Sequence, residues 1–180
     1  MNPWLTADSG MRNMKSLKKS ELKEILIKNW MTHDAMWFYH CLQECGIEQT
    51  NKINKAAVRA MGIIEIQRIQ KAVGIDKVET FEDLKPLIDA TFNILKGDFM
   101  DFTYGFPSEN ILHGDWENCF AYKGVKRLGV IDQYQCGILE RIYGWFDGLG
   151  IKYSASPRVD GCMMHTDGKC FRNISFTFNK

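Results

Sequence analysis

Residues 99–107, FMDFTYGFP, decide the fold class, because here the spacing of apolar side chains changes from helical to extended. Phe99, Asp101, Thr103 and Gly105 alternate with Met100, Phe102, Tyr104 and Phe106, a period of two that gives each set one face of a strand, and Pro107 ends it. Before this stretch the apolar residues recur at three- and four-residue steps; after it the two periods mix. The chain is therefore expected to be α+β: N-terminal helices, then a β-hairpin, a long helix and a second β-hairpin, forming a small antiparallel sheet packed on helices.

N-terminal to the switch, Thr80 with Asp83 three residues on opens a helix from Phe81 to Lys96, and Gly97 closes it. A helix from Glu48 to Val73 is expected to turn Ile53, Ala57, Ala60, Met61, Ile64 and Ile69 inward, with a bend at Gly62 and a stop at Gly74. The first helix, Ser20 to Cys45, carries the stripe Leu22, Leu26, Trp30, His33, Trp37, Cys41 and Cys45 and stops at Gly46. C-terminal to the switch, Asn118–Lys123 reads as a strand and Lys126–Leu149 as the long helix. Ile151–Ser156 and Cys170–Phe178 read as the last two strands. Residues 1–17 read as an arm or tail, and 18–180 as one domain.

Composition narrows the function. Of 180 residues, 45% are hydrophobic, enough for one core, and a net charge of +1 gives no pull toward nucleic acid or anionic lipid. Lys15, Lys18, Lys19, Lys23 and Lys28 are interrupted by Glu21 and Glu24, the pattern of a solvated helix face. No segment approaches the roughly 20 apolar residues that span a bilayer, and no secretory leader is legible, so the expected place is the cytoplasm. Six cysteines there are reduced thiols, metal ligands or catalytic groups rather than disulfides. Glycine-rich phosphate loops, serine-esterase elbows and His-Glu-x-x-His helices do not occur.

Three groups of residues can carry chemistry. His33, Trp37, Cys41 and Cys45 share a helix face, and Asp34 flanks it; this is either a base with its orienting acid or a core stripe holding a hydrogen-bonded histidine. Asp132, Cys136, Glu140 and Tyr143 follow at helical steps, a thiol between carboxylates suited to a cation or a substrate ammonium. Cys162 and Cys170 bracket His165 and Asp167; with Cys119 and Cys136 they supply four thiols for zinc or iron if the fold gathers them.

The run NCFAYKGVKRLG from Asn118, Cys136 on a helix, and GKCFRNISF around Cys170 resemble the L-2-amino-thiazoline-4-carboxylic acid hydrolase family and a related uncharacterised group of anaerobe proteins. WMTHDAMWFYHCLQECG, residues 30–46, is similar to the latter. The element order is also similar to that of vinyl-reductase-type small-molecule-binding domains, which often hold apolar ligands and dimerise. The first resemblance implies a hydrolase acting on a C–N bond of a cyclic amidine. Cys119 or Cys136 would be the nucleophile, His33 the proton carrier, Asp34 or Glu140 the group orienting nitrogens, and Arg158 or Arg172 the partner of a carboxylate. The alternative is a non-catalytic, dimeric module that binds a small molecule or a metal in a cysteine-rich pocket, with Trp37, Phe38, Phe120, Tyr122, Trp145 and Phe146 as apolar wall. The expected partners are a small-molecule ligand and a second copy of the chain, without nucleic acid or membrane.

Overall fold

The structure, a computed structural model, describes residues 15–178, so most of the N-terminal arm expected at 1–17 lies outside the described residues. The elements are α1 (Lys19–Ala72), α2 (Phe81–Leu95), β1 (Asp101–Ser108), β2 (Ile111–Asn118), α3 (Phe120–Arg127), a 3-10 turn (Ile131–Gln133), α4 (Gly137–Gly148), β3 (Lys152–Ser156), α5 (Met163–Thr166) and β4 (Cys170–Thr177). The class is α+β, with one antiparallel sheet in the order β1-β2-β4-β3.

Helix α1 consists of two helical arms joined at Gly46, whose φ of 72° and ψ of 172° no helix contains. The first arm does not bury the stripe expected of it: Leu22, Leu26 and Trp37 are exposed, Trp37 by 63%. Ile27, Met31, Asp34 and Phe38 turn inward instead, one residue further along and hence about 100° around the helix. The second arm repeats the offset in part, with Ile53 and Ile64 exposed and Thr50, Asn51, Gly62 and Ile66 buried, while Ile69 is buried and Met61 faces the interior as expected. Asn51 explains its own burial: Nδ2 donates to the Gln133 carbonyl at 2.7 Å and Oδ1 accepts from Gln135 N at 3.1 Å, so its desolvation is compensated.

Gly62 does not bend the helix. It marks the crossing of α1 over α4, where a Cβ on Gly62 would stand 2.3 Å from the Arg141 carbonyl oxygen and one on Gly144 2.4 Å from that of Arg59. The absence of side chains here sets how closely the two helices approach.

Helix α2 starts as expected: Thr80 accepts from Asp83 N, and the Asp83 carboxylate accepts from Thr80 N at 2.9 Å. Leu84, Leu87, Ile88 and Phe92 then enter the core beside Trp145 and Phe146 of α4 and Ile174 and Phe176 of β4.

Two expectations after β1 are corrected. The second strand is Ile111–Asn118, not Asn118–Lys123, and pairs with β1 through a tight turn at Asn110, φ 59°. Its inward residues are Leu112 and Gly114, and a glycine in the apolar set hides the alternation. The residues assigned to that strand form α3, and the long helix expected over Lys126–Leu149 is cut by the chain reversal at Gly129, φ 75°. Asp132 thus sits in the 3-10 turn and Cys136 caps α4, so Asp132, Cys136, Glu140 and Tyr143 are not one helical row.

Candidate functional site

Two arms of α1, the end of α2, the β1–β2 hairpin, α3 and α4 enclose a cavity of about 400 Å³, within the roughly 300–1,000 Å³ of small-molecule sites. Met31, Phe38, Val58, Phe102, Leu128, Ile138 and Ile142 give it an apolar wall, together with Trp116 and Trp145.

The polar groups at the wall are largely occupied with one another. Arg141 grips Glu65 with two bonds of 2.9 and 2.6 Å, the indole of Trp145 donates to the same carboxylate at 2.8 Å, and the guanidinium lies 4.1 Å above the Trp30 ring. Lys96 Nζ donates to the Phe102 carbonyl at 2.7 Å, and Asn118 Nδ2 to Asp101 Oδ2 at 2.8 Å. Asp34 reaches the cavity too; partial burial raises its carboxyl above the usual range, against the pull of His33 and Arg141. Asn54 and Arg127 also line the cavity and make no side-chain hydrogen bond among the described residues, so the cavity offers a ligand a mainly apolar surface with a few polar groups at its wall.

The residues expected to form a site are dispersed. His33 is on the outer face of α1, its Nε2 accepting from the Trp37 indole at 3.1 Å and its Nδ1 3.7 Å from Asp34, with no cysteine in hydrogen-bond contact. Trp37 is therefore outside, while its neighbours Asp34 and Phe38 line the cavity. Glu140 accepts from Arg59 at 2.8 Å, and the same guanidinium bonds Asp147 at 2.7 Å and the Tyr153 hydroxyl at 2.9 Å. That network ties α1 to α4 and β3. Arg158 is exposed in the loop after β3, whereas Arg172 is buried to 2% exposure on β4.

Cys119, Cys136, Cys162 and Cys170 do converge, close enough for one sulfur's charge to disfavour another's. They form no ligand set: among the described residues no group of three or more His, Cys, Asp or Glu side chains has metal-binding geometry. Cys119 is the one cysteine among the described cavity-lining residues. Burial raises its thiol, while the backbone N–H groups of Tyr122 and Ala121, at the start of α3, pull the other way without closing a capping bond. Burial pushes Cys136 up to about 12 and Cys170 up to about 11, the latter despite Arg172 nearby.

Near pH 8 both are neutral thiols, poor as nucleophiles and as ligands. Native protein treated with iodoacetamide at pH 8 is expected to carry the label on the exposed Cys45 and to leave Cys136 and Cys170 unmodified, as peptide mass spectrometry reads directly. Above pH 9 the unfolded chain, whose thiols keep the ordinary value of 9.0, releases protons that folded Cys136 retains to about 12. Stability therefore falls across that window, and Cys136→Ser makes the fall shallower.

The sequence reading missed Arg141, Glu65, Asn51 and Asn54. Arg141 is on α4; the signal of the other three was polar residues on the inward row of α1, legible only once the true face is known.

Residues 15–101 match the family described as "Family of unknown function (DUF6125)". No curated protein matches the chain. Among solved structures, it is similar to a trafficking protein particle complex subunit 3 from Naegleria fowleri, determined covalently bound to palmitic acid. The likeness has a TM-score of 0.56 and 11% sequence identity, and covers 88% of this chain and 98% of that one. It shows the shared fold. No helix among the described residues is long and apolar enough to cross a membrane.

Proposed function

We propose that the protein is a binding module for a long apolar chain of the fatty-acyl class, held in the cavity between α1, α2, α3 and α4. The observation that carries this reading is the cavity itself: about 400 Å³, walled mainly by apolar side chains, with Lys96, Asn118 and Arg141 at its wall bonded to other protein groups. The palmitic acid carried by the structural neighbour supports the same ligand class. Cys119 is where a covalent adduct of the neighbour's kind would appear in an intact mass. Because all six cysteines are unpaired, we place this activity in a reducing compartment, the cytoplasm. We assign the exposed apolar side chains Leu22, Leu26 and Trp37 of α1 to contact with a second copy of the chain, which predicts a dimer mass on sedimentation.

Each methylene buried is worth up to about 0.8 kcal/mol, or roughly fourfold in affinity. Titration with saturated chains of increasing length is expected to show that gradient until the cavity is full. Val58→Trp, which puts a large ring into the cavity, is expected to weaken the longest chains by at least about tenfold with the fold intact. Binding unmoved by Val58→Trp, or indifferent to chain length, sinks the reading.

One observation favours C–N hydrolysis as a second reading: Cys119 and Asp34 face the same cavity. Turnover of a cyclic amidine such as amino-thiazoline carboxylate, abolished by Cys119→Ser, would establish it over simple binding.

A further inference from the structure

Asn54 and Tyr134 meet at one place on the cavity wall, and each has a donor to spare. Asn54, on the second arm of α1, lines the cavity and makes no side-chain hydrogen bond among the described residues. Its Nδ2 rests against Gly137, the first residue of α4: a Cβ at Gly137 would stand 2.5 Å from that nitrogen and 3.7 Å from Cγ2 of Val58, one turn further along α1. Tyr134 reaches the same glycine. Its hydroxyl oxygen accepts from Gly137 N at 3.1 Å, and its own proton has no acceptor among the described residues. Tyr134 is only 5% exposed, and burial lifts its hydroxyl far above the usual phenol range, so that proton stays in place.

Other donors of the wall are placed differently: Lys96, Asn118 and Arg141 are bonded to protein groups, and Arg127 is exposed at the end of α3. Two unused donors on a mainly apolar surface call for an acceptor, because an amide and a hydroxyl covered by alkyl chain alone lose their bonds to water without replacement. The amide has its place only because residue 137 lacks a side chain. Cys119 lines the same cavity and lies close enough to Tyr134 for a thiolate there to disfavour ionisation of the phenol.

We propose that Asn54 Nδ2 and the Tyr134 hydroxyl bind the carbonyl oxygen of an acyl chain, which fixes the polar end of the ligand at Gly137 and lays the alkyl chain along the apolar wall. The proposal rests on the apolar-chain reading above and adds the head group to it: an acyl ester or thioester is preferred to an alkyl ether of equal length. An acyl group carried by Cys119 presents the same oxygen, so the two assignments are compatible.

The test compares methyl decanoate with decyl methyl ether, which has a methylene where the ester has its carbonyl, by titration of the intrinsic tryptophan fluorescence at neutral pH. In a purely apolar cavity the ether, which gives up less on leaving water, binds at least as tightly. The wild-type protein is expected to bind the ester at least about fivefold more tightly, the effect of one net hydrogen bond. Asn54→Leu, which removes the amide and leaves an apolar side chain, is expected to bring the ratio to one or below. Gly137→Ala pushes the amide aside, the far end of a flexible side chain rather than backbone, and is expected to reduce the preference with Asn54 still present. The intact mass after each titration separates a carbonyl held in the free ester from one bonded to Cys119. Equal or weaker binding of the ester by the wild type, or a preference that either variant leaves unchanged, overturns the carbonyl site and leaves the cavity reading standing. Binding of neither probe overturns both.

Discussion

Gly144→Ala is expected to lower the melting temperature by about 6–12 °C, corresponding to about 3 kcal/mol for a chain of this length. In an isolated helix the same change would help, since alanine gains about 1 kcal/mol over glycine in a helix interior. The sign is decided by the crossing: the new methyl carbon would stand 2.4 Å from the Arg59 carbonyl oxygen, and backbone cannot rotate aside as a flexible side chain does. The helices have to part, which loosens Ile66 and Ile142 on either side of the seam. Gly62→Ala meets the Arg141 carbonyl at 2.3 Å and is expected to behave alike. Thermal unfolding followed by circular dichroism reads both, and a variant that melts at or above the parent refutes the tight crossing.

Glu65→Ala is expected to cost about 3–5 kcal/mol, the range for removing one partner of a buried ion pair. The carboxylate serves two donors at once, the Arg141 fork and the indole of Trp145, and Trp145 is only 2% exposed. Deleting it strands a mostly buried cation and an N–H that no water reaches. Arg141→Met in the same chain removes the stranded charge and is expected to restore much of the loss, so a urea-denaturation cycle over the four proteins separates the pair from the packing. A single variant within about 1 kcal/mol of the parent would mean that the pair carries little.

The parts of the fold legible in the sequence are those whose local signals agree with their tertiary setting. Helix α2 combines a reciprocal cap at Thr80 and Asp83 with an apolar row, and both the cap and the start at Phe81 came out as read. The last two strands, β3 and β4, alternate along their length, because one face meets the core and the other does not. Where reading failed, polar or absent side chains occupy the inward positions. Along α1 the buried row includes Thr50, Asn51 and Gly62, so an apolar count points to the neighbouring row. In β2 the inward Gly114 breaks the alternation that would have marked a strand.

The site was less legible still. Cys119, Cys136, Cys162 and Cys170 do come together, and Asp34 does reach the cavity, yet the pairing of Glu65 with Arg141 spans 76 residues and leaves no local trace. His33 and Trp37 looked inward only because the apolar row was placed about 100° from its true position.

The break at Gly46 divides labour along what is otherwise a single rod. The arm before it supplies Met31, Asp34 and Phe38 to the ligand cavity and is moored by separate modest contacts: Glu24 accepting from Asp98 N, Trp30 under Arg141, Phe38 edge-on to Tyr134 at 5.7 Å. The arm after it carries the glycine crossing and the Asn51, Arg59 and Glu65 bonds that bind α1 to the rest of the molecule. Both arms line the cavity, the second through Asn54, Val58 and Met61, but only the second carries the glycine crossing and the Glu65 bonds, so substitutions in the first arm reshape the cavity wall without touching the seam that holds α1 to α4.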